Sequence, residues 1–167
     1  MALKSIGRFL ALMSLCFLIS GCATGISRQA RSQVTYNGPF TAVQRNPSDH
    51  AGAVLVLGGR IIENRALDGS SELVVLQMPL RSGDIPRNID ASEGRFLVRS
   101  GQFLDPSIYE NGRLLTVVGR LVGSESRKIG GLDYVYPVVE AIEIKVWREQ
   151  TSDWPNVYFG VGVGAVF

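Results

Sequence analysis

A small, mainly β domain is predicted: an OB-like five-stranded antiparallel barrel with one short helix between its third and fourth strands. Two features of the 167-residue chain predict it, namely five apolar or alternating segments set apart by turn residues and a single helix-like segment after the third of them. The first strand, Ala53 to Ile62, is rich in Val, Leu and Ile. Its Gly58-Gly59 pair predicts a bulge or sharp bend, because glycine takes dihedrals closed to other residues. Ser71 to Met78 forms the second strand and is closed by Pro79, which has no amide to donate. Arg95 to Val98 is a short third strand. In the segment that follows, Asp105 suits an N-cap, Pro106 a first turn and Gly112 an exit, which predicts a helix of one or two turns. Leu114 to Val122 then places Leu115, Val117, Gly119 and Leu121 on one face. Tyr134 to Trp147 sets Ile142, Ile144 and Val146 against Glu143 and Lys145. Alternation assigns strand faces but not closure, so an open antiparallel sheet or a small sandwich is the competing architecture.

The chain begins with the zones of a secretory signal: Lys4 and Arg8, an apolar run from Phe9 to Ile19, and small residues at Ser20 and Gly21. At about 1.5 Å per residue that run is too short for a hydrocarbon core of roughly 30 Å, so a permanent spanning helix is not expected. Ile19-Ser20-Gly21-Cys22 resembles a lipobox, in which cleavage between Gly21 and Cys22 follows transfer of a diacylglycerol to the cysteine thiol. An ordinary secretory signal ending beside a cysteine is the alternative. By resemblance to lipoproteins of diderm bacteria, Ala23 in place of an aspartate directs the product to the outer membrane, with the periplasmic leaflet expected. The expected division is a cleaved signal over 1–21, a lipid anchor and tether over 22–49, the barrel over 50–150 and a Gly/Val-rich strand over 151–167. The tether is inferred from the polar stretch broken by Gly38, Pro39 and Pro47.

Charge and cysteine usage exclude several classes. Removing Lys4 and Arg8 with the signal reduces the 17 basic residues to 15, against 15 acidic ones, so the mature chain is close to neutral. Without a basic cluster a nucleic-acid partner is not expected. Cys16 leaves with the signal and Cys22 carries lipid, so no thiol remains for a disulfide, a metal or nucleophilic catalysis. His50 is the sole histidine and is expected in a solvated loop beside Asp49. There is no G-x-S-x-G elbow and no calcium-loop spacing, so neither a metal nor a cofactor is expected beyond the covalent lipid. Paired carboxylates such as Glu63 with Asp105 or Glu140 are the sole remaining route to hydrolytic chemistry.

Candidate binding residues are few. Arg60, Arg95, Arg113 and Arg120 recur beside glycines, where a guanidinium either pairs with a carboxylate or clamps an anionic envelope component. Tyr109, Tyr134, Tyr136 and Trp147 suit strand faces or an aromatic sugar-binding surface. At the C-terminus Phe159, Val161, Val163, Ala165 and Phe167 alternate with Gly160, Gly162 and Gly164. That pattern fits a strand of the protein's own sheet, an edge that pairs with a partner, or an apolar face on the membrane.

Five segments in collinear order resemble the Slp family of outer-membrane lipoproteins: VLVLGGRIIEN from Val54 to Asn64, LQMPL from Leu76 to Leu80, SEGRFLV from Ser92 to Val98, FLDPSIYENGRLLTVVGRLVG from Phe103 to Gly123 and YPVVE from Tyr136 to Glu140. The resemblance implies an outer-membrane, starvation-inducible lipoprotein and brings no catalytic residues with it. Two readings of function follow. One is a non-enzymatic envelope protein that contacts outer-membrane proteins, lipopolysaccharide or peptidoglycan; the other is an OB-like module for a small or oligosaccharide ligand.

Overall fold

The computed structural model describes residues 25–87 and 91–148. Seven strands are present among them: β1 (Val54–Ala66), β2 (Ser71–Met78), β3 (Leu80–Arg81), β4 (Ile85–Pro86), β5 (Arg95–Ser100), β6 (Leu114–Ile129) and β7 (Leu132–Val146). Five of these close a barrel in the order β1-β2-β5-β7-β6, while β3 and β4 form a separate small hairpin. Closure decides against the open sheet and the sandwich, and counted along the barrel strands alone the order is that of an OB-type barrel. The seams are antiparallel except one. β5 and β7 run parallel, with Leu97 opposite Val138 and Arg99 opposite Glu140, which corrects the all-antiparallel expectation.

Glycine in β1 serves close approach rather than a bulge. The strand pairs with β6 through Arg60 and with β2 from Gly58 onward, so the glycines lie where it is shared between two neighbours. A Cβ on Gly58 would collide with Leu80, and one on Gly59 with Val75 and the Leu76 carbonyl. The register shift falls later, between Ile61 and Glu63.

The inner core contains Leu55, Leu57, Ile61, Leu73, Val75, Phe96, Val98, Leu115, Val117 and Leu121, and each end of the barrel is plugged. At one end sits the helix α2 (Phe40–Arg45), whose Phe40 and Val43 are buried, with the Phe40 ring 5.7 Å from that of Phe96. At the other end Leu104 and Tyr109 pack inward. The helix expected over Asp105–Gly112 is absent. Asp105 accepts from the Ser107 amide at 2.8 Å and its carbonyl from the amides of Ile108 and Tyr109, so one turn forms as its capping chemistry requires. Beyond that turn the Gly112 amide is taken by the Ile61 carbonyl at 2.9 Å, and bonding to the barrel displaces helix continuation.

The stretch expected to be a tether is largely folded. Ser27 caps the short helix α1 (Arg28–Arg31) by accepting from the Ala30 amide, and Ile26 and Ala30 pack on Val54 and Val118 outside the barrel. With α2 and a 3-10 turn over Pro47–His50, the folded body begins near Ile26 instead of His50, because the apolar residues of this stretch have barrel surface to cover.

Candidate functional site

Strands β6 and β7 extend past the barrel as a hairpin arm. Its two-residue turn is Gly130-Gly131, with φ of 55° and 90°, the doubly left-handed geometry that suits right-twisted strands. The arm lies over the outer wall of β2 and β5, where Val74, Leu97, Tyr136 and Val138 form a second core with Ile62, Ile129 and Tyr134 against it. At its margin four side chains close a ring. Glu72 accepts from Arg99 at 3.2 Å and from Arg127 at 2.7 Å, and Glu125 accepts from Arg99 at 2.5 Å and from Arg127 at 2.8 Å. Hydrogen bonds from Arg127 hold the Glu125 carboxyl below its ordinary value, and Glu125 in turn raises Arg127. Sequence reasoning missed this arm because it ended the fourth strand at Val122. The continued alternation through Glu125 and Arg127 to the Gly-Gly turn was the available signal.

The proposed aromatic surface is largely spent on this packing. Tyr136 is 4% exposed, and Tyr134 is half-buried with its hydroxyl accepting from the Arg95 amide at 2.7 Å. Their rings meet edge to face, 4.7 Å apart. An oligosaccharide needs an open aromatic face, so the sugar-binding expectation loses its basis at Tyr134 and Tyr136. Arg113 and Arg120 do not converge either. Arg113 reaches Glu110 at 3.5 Å beside the Asp105 turn, whereas Arg120 donates to the Gly52 carbonyl at 3.1 Å, and the seven residue steps from one to the other span about 23 Å of extended chain.

The remaining candidates are similarly engaged. His50 is half-buried with its ring 4.8 Å from Tyr36, which corrects the solvated-loop expectation. Glu63 is held by Arg65 at 2.6 Å, and that hydrogen bond keeps its carboxyl below the ordinary value. Asp105 is lowered by the Ser107 amide. Both shifts favour the charged acceptor, opposite to the raised carboxyl that a general acid needs. A recess of about 170 Å³ beside α2, lined by Tyr36, Phe40, Val43, Leu55 and Leu57, is smaller than the roughly 300 Å³ at which small-molecule pockets begin. Among the described residues no group of His, Cys, Asp and Glu is placed to hold a metal, and no helix is long and apolar enough to cross a membrane. Gly21, Cys22, Phe159, Val161, Val163 and Phe167 lie outside the described residues.

A different surface gathers several segments. Asp84, left-handed at φ 61°, offers its carbonyl to Thr116 Oγ1 at 2.5 Å and its carboxylate to Arg31. Thr116 Oγ1 also accepts from Trp147 Nε1 at 3.0 Å, and Glu143 holds the amide and hydroxyl of Ser27. Here α1, the β3–β4 hairpin and the end of β7 meet on the outer wall of β1 and β6.

Comparison with known proteins gives consistent matches. The chain is similar to "Outer membrane protein Slp" of Escherichia coli, at 31% identity over 90% of this chain and 82% of that protein. It is also similar to "Uncharacterized lipoprotein YeaY" of Escherichia coli, at 30% identity over 78% of this chain and 67% of that one. A Haemophilus influenzae protein of undescribed function is 30% identical over 86% of this chain and 78% of its own length. Among solved structures, a small single-stranded DNA-binding protein from Streptomyces coelicolor superposes with a TM-score of 0.37 at 15% identity, covering 56% of this chain and 93% of that one. The outer membrane lipoprotein Slp family matches residues 19–162, and the chain belongs to that family.

Proposed function

We propose that this protein is a lipid-anchored, non-enzymatic component of the outer membrane. In this reading Cys22 carries the diacylglycerol, the barrel sits on the periplasmic side, and the protein acts under stress or starvation through contacts with outer-membrane proteins, lipopolysaccharide or peptidoglycan. The observation that carries the reading is the distance along the chain from lipid to fold: Ile26 is already buried against Val54 and Val118, four residues after Cys22. A domain placed so close to an acylated cysteine is held at the membrane surface. Two or three acyl chains, at about 0.8 kcal/mol per buried CH₂, make such attachment effectively permanent. The second support is chemical, since the carboxylates, arginines and tyrosines described above are committed to caps, ion pairs and packing.

The anchor is tested by the mass of the N-terminal peptide and by outer-membrane fractionation. Wild-type protein is expected to give a lipidated Cys22 peptide and to co-fractionate with outer-membrane markers, while Cys22→Ser is released. An unmodified thiol in membrane-bound wild-type protein overturns the anchor. Crosslinking in intact starved and growing cells tests the contacts: a specific envelope partner enriched on starvation is expected, and background capture alone in both conditions contradicts the role.

A further inference from the structure

Both ends of the described chain leave from one patch. Gly25 lies against the Gly83-Asp84 turn, where an added Cβ would stand 3.0 Å from Asp84 Oδ2 and 3.1 Å from the Gly83 carbonyl. Trp147, one residue before the last one described, is tied to the same Asp84 through Thr116. Cys22 precedes Gly25 by three residues. Three Cα steps reach about 11 Å at most, less than the roughly 14 Å radius of gyration expected of a domain of about 120 residues. A lipid on so short a leash cannot be carried round to another side of the barrel.

The chemistry of the patch suits what that leash brings to it. Arg28 and Arg31 on α1, Arg81 and Arg87 at the two ends of the β3–β4 hairpin, and Arg148 are exposed. Lys145 stands with its Nζ 5.9 Å from the Trp147 ring, which is itself partly exposed. The carboxylates within the patch, Asp84 and Glu143, are held by Arg31 and Ser27. On the opposite wall the arginines Arg99 and Arg127 are instead closed in a ring with Glu72 and Glu125. In a chain close to neutral overall, positive charge has gathered beside the exit of the lipid-bearing segment, and a half-exposed indole accompanies it. Tryptophan and basic side chains are the residues that settle at phospholipid headgroups.

We propose that the outer wall of β1 and β6, with α1, the β3–β4 hairpin and Trp147, is a docking face for an anionic phospholipid surface, so that the barrel stands in one orientation with the β6–β7 arm pointing away from the membrane. This inference rests on lipidation of Cys22. The test uses full-length lipidated protein in phosphatidylethanolamine–phosphatidylglycerol vesicles, nitroxide-labelled through Gln29→Cys, Ser82→Cys or Asp133→Cys. Flotation is measured on each sample. Labels at positions 29 and 82 are expected to be at least threefold less accessible to an aqueous relaxation agent than the label at 133. Replacing Arg28, Arg31, Arg81 and Arg87 by glutamate is expected to remove that protection at position 82 while the protein still floats. Equal accessibility at all three positions in floating protein overturns the docking face and leaves the anchor intact. Protein that fails to float and lacks lipid at Cys22 overturns the anchor, and the docking face with it. Circular dichroism of each variant separates misfolding from a change of orientation.

Discussion

Over β2 and β5 the outer wall of the barrel is covered by its own strands, whereas over β1 and β6 it is covered by short pieces drawn from elsewhere in the chain. The arm continues β6 and β7 without a break, buries Leu97 completely, and balances its charges in the Glu72–Arg99–Glu125–Arg127 ring. The other cover is a four-residue helix and a two-by-two-residue hairpin, joined to the barrel through Ile26, Ser27, Asp84 and Thr116. The arm is an extension of the barrel, bound by the same ladders. The second cover is a set of local attachments that leaves arginines outward. A wall sealed by ladder bonds and neutralised charge suits solvent, and one with outward arginines suits an anionic partner.

This contrast sets a scale of expected effects. Leu97→Ala, under the arm, should destabilise the whole domain by about 3 kcal/mol, read as a lower urea midpoint, because a fully buried leucine leaves a cavity. A normal midpoint would mean that the arm is separable. Removing Glu72, whose side chain is 8% exposed, takes one charged hydrogen bond from each of Arg99 and Arg127 and leaves both to Glu125, and Glu72→Ala should cost about 2 kcal/mol in the same assay. Ile26→Ala should act locally, costing about 1–2 kcal/mol and speeding hydrogen exchange in 26–34 while barrel amides stay protected. If exchange rises throughout, the two covers are equally integral. Ser27→Ala loses the α1 cap and should cost about 1 kcal/mol, confined to the same segment.

A pH series sharpens the contrast further. Hydrogen bonds from Arg127 and Arg65 hold the folded pKa values of Glu125 and Glu63 below the ordinary glutamate value, so their stabilising contribution is complete above that ordinary value. It is lost as pH falls through the lower folded value. Proteolysis of the arm is therefore expected to accelerate as pH falls below about 4.5, and Glu125→Gln should flatten that dependence. An unchanged acid response in Glu125→Gln would show that the ring does not hold the arm.

Some of this was legible at the level of residues. Ser71–Met78 reads as a strand with its observed bounds because Pro79 ends it chemically. The capping role of Asp105 was legible too, since it depends on the amide and hydroxyl of Ser107, two positions on. The helix beyond it was not, because the competing acceptor for the Gly112 amide is Ile61, 51 positions earlier in the chain. In the supposed tether, glycine and proline breaks masked Phe40 and Val43. Their i, i+3 spacing after Pro39 was a helix signal too short to stand alone.

By itself the sequence determined the lipobox pattern at Cys22, the presence of five strands, the turn chemistry at Asp105, and the near balance of charge. These are properties of neighbouring residues, and neighbours are what local sterics, capping and alternation govern. Only the tertiary structure decided barrel closure through the parallel β5–β7 seam, the pairing of Glu72 with Arg99 and Arg127, and the meeting of Gly25, Asp84, Thr116 and Trp147 on one wall. Each of those joins residues distant in the chain, and their proximity depends on how the whole barrel buries its apolar surface.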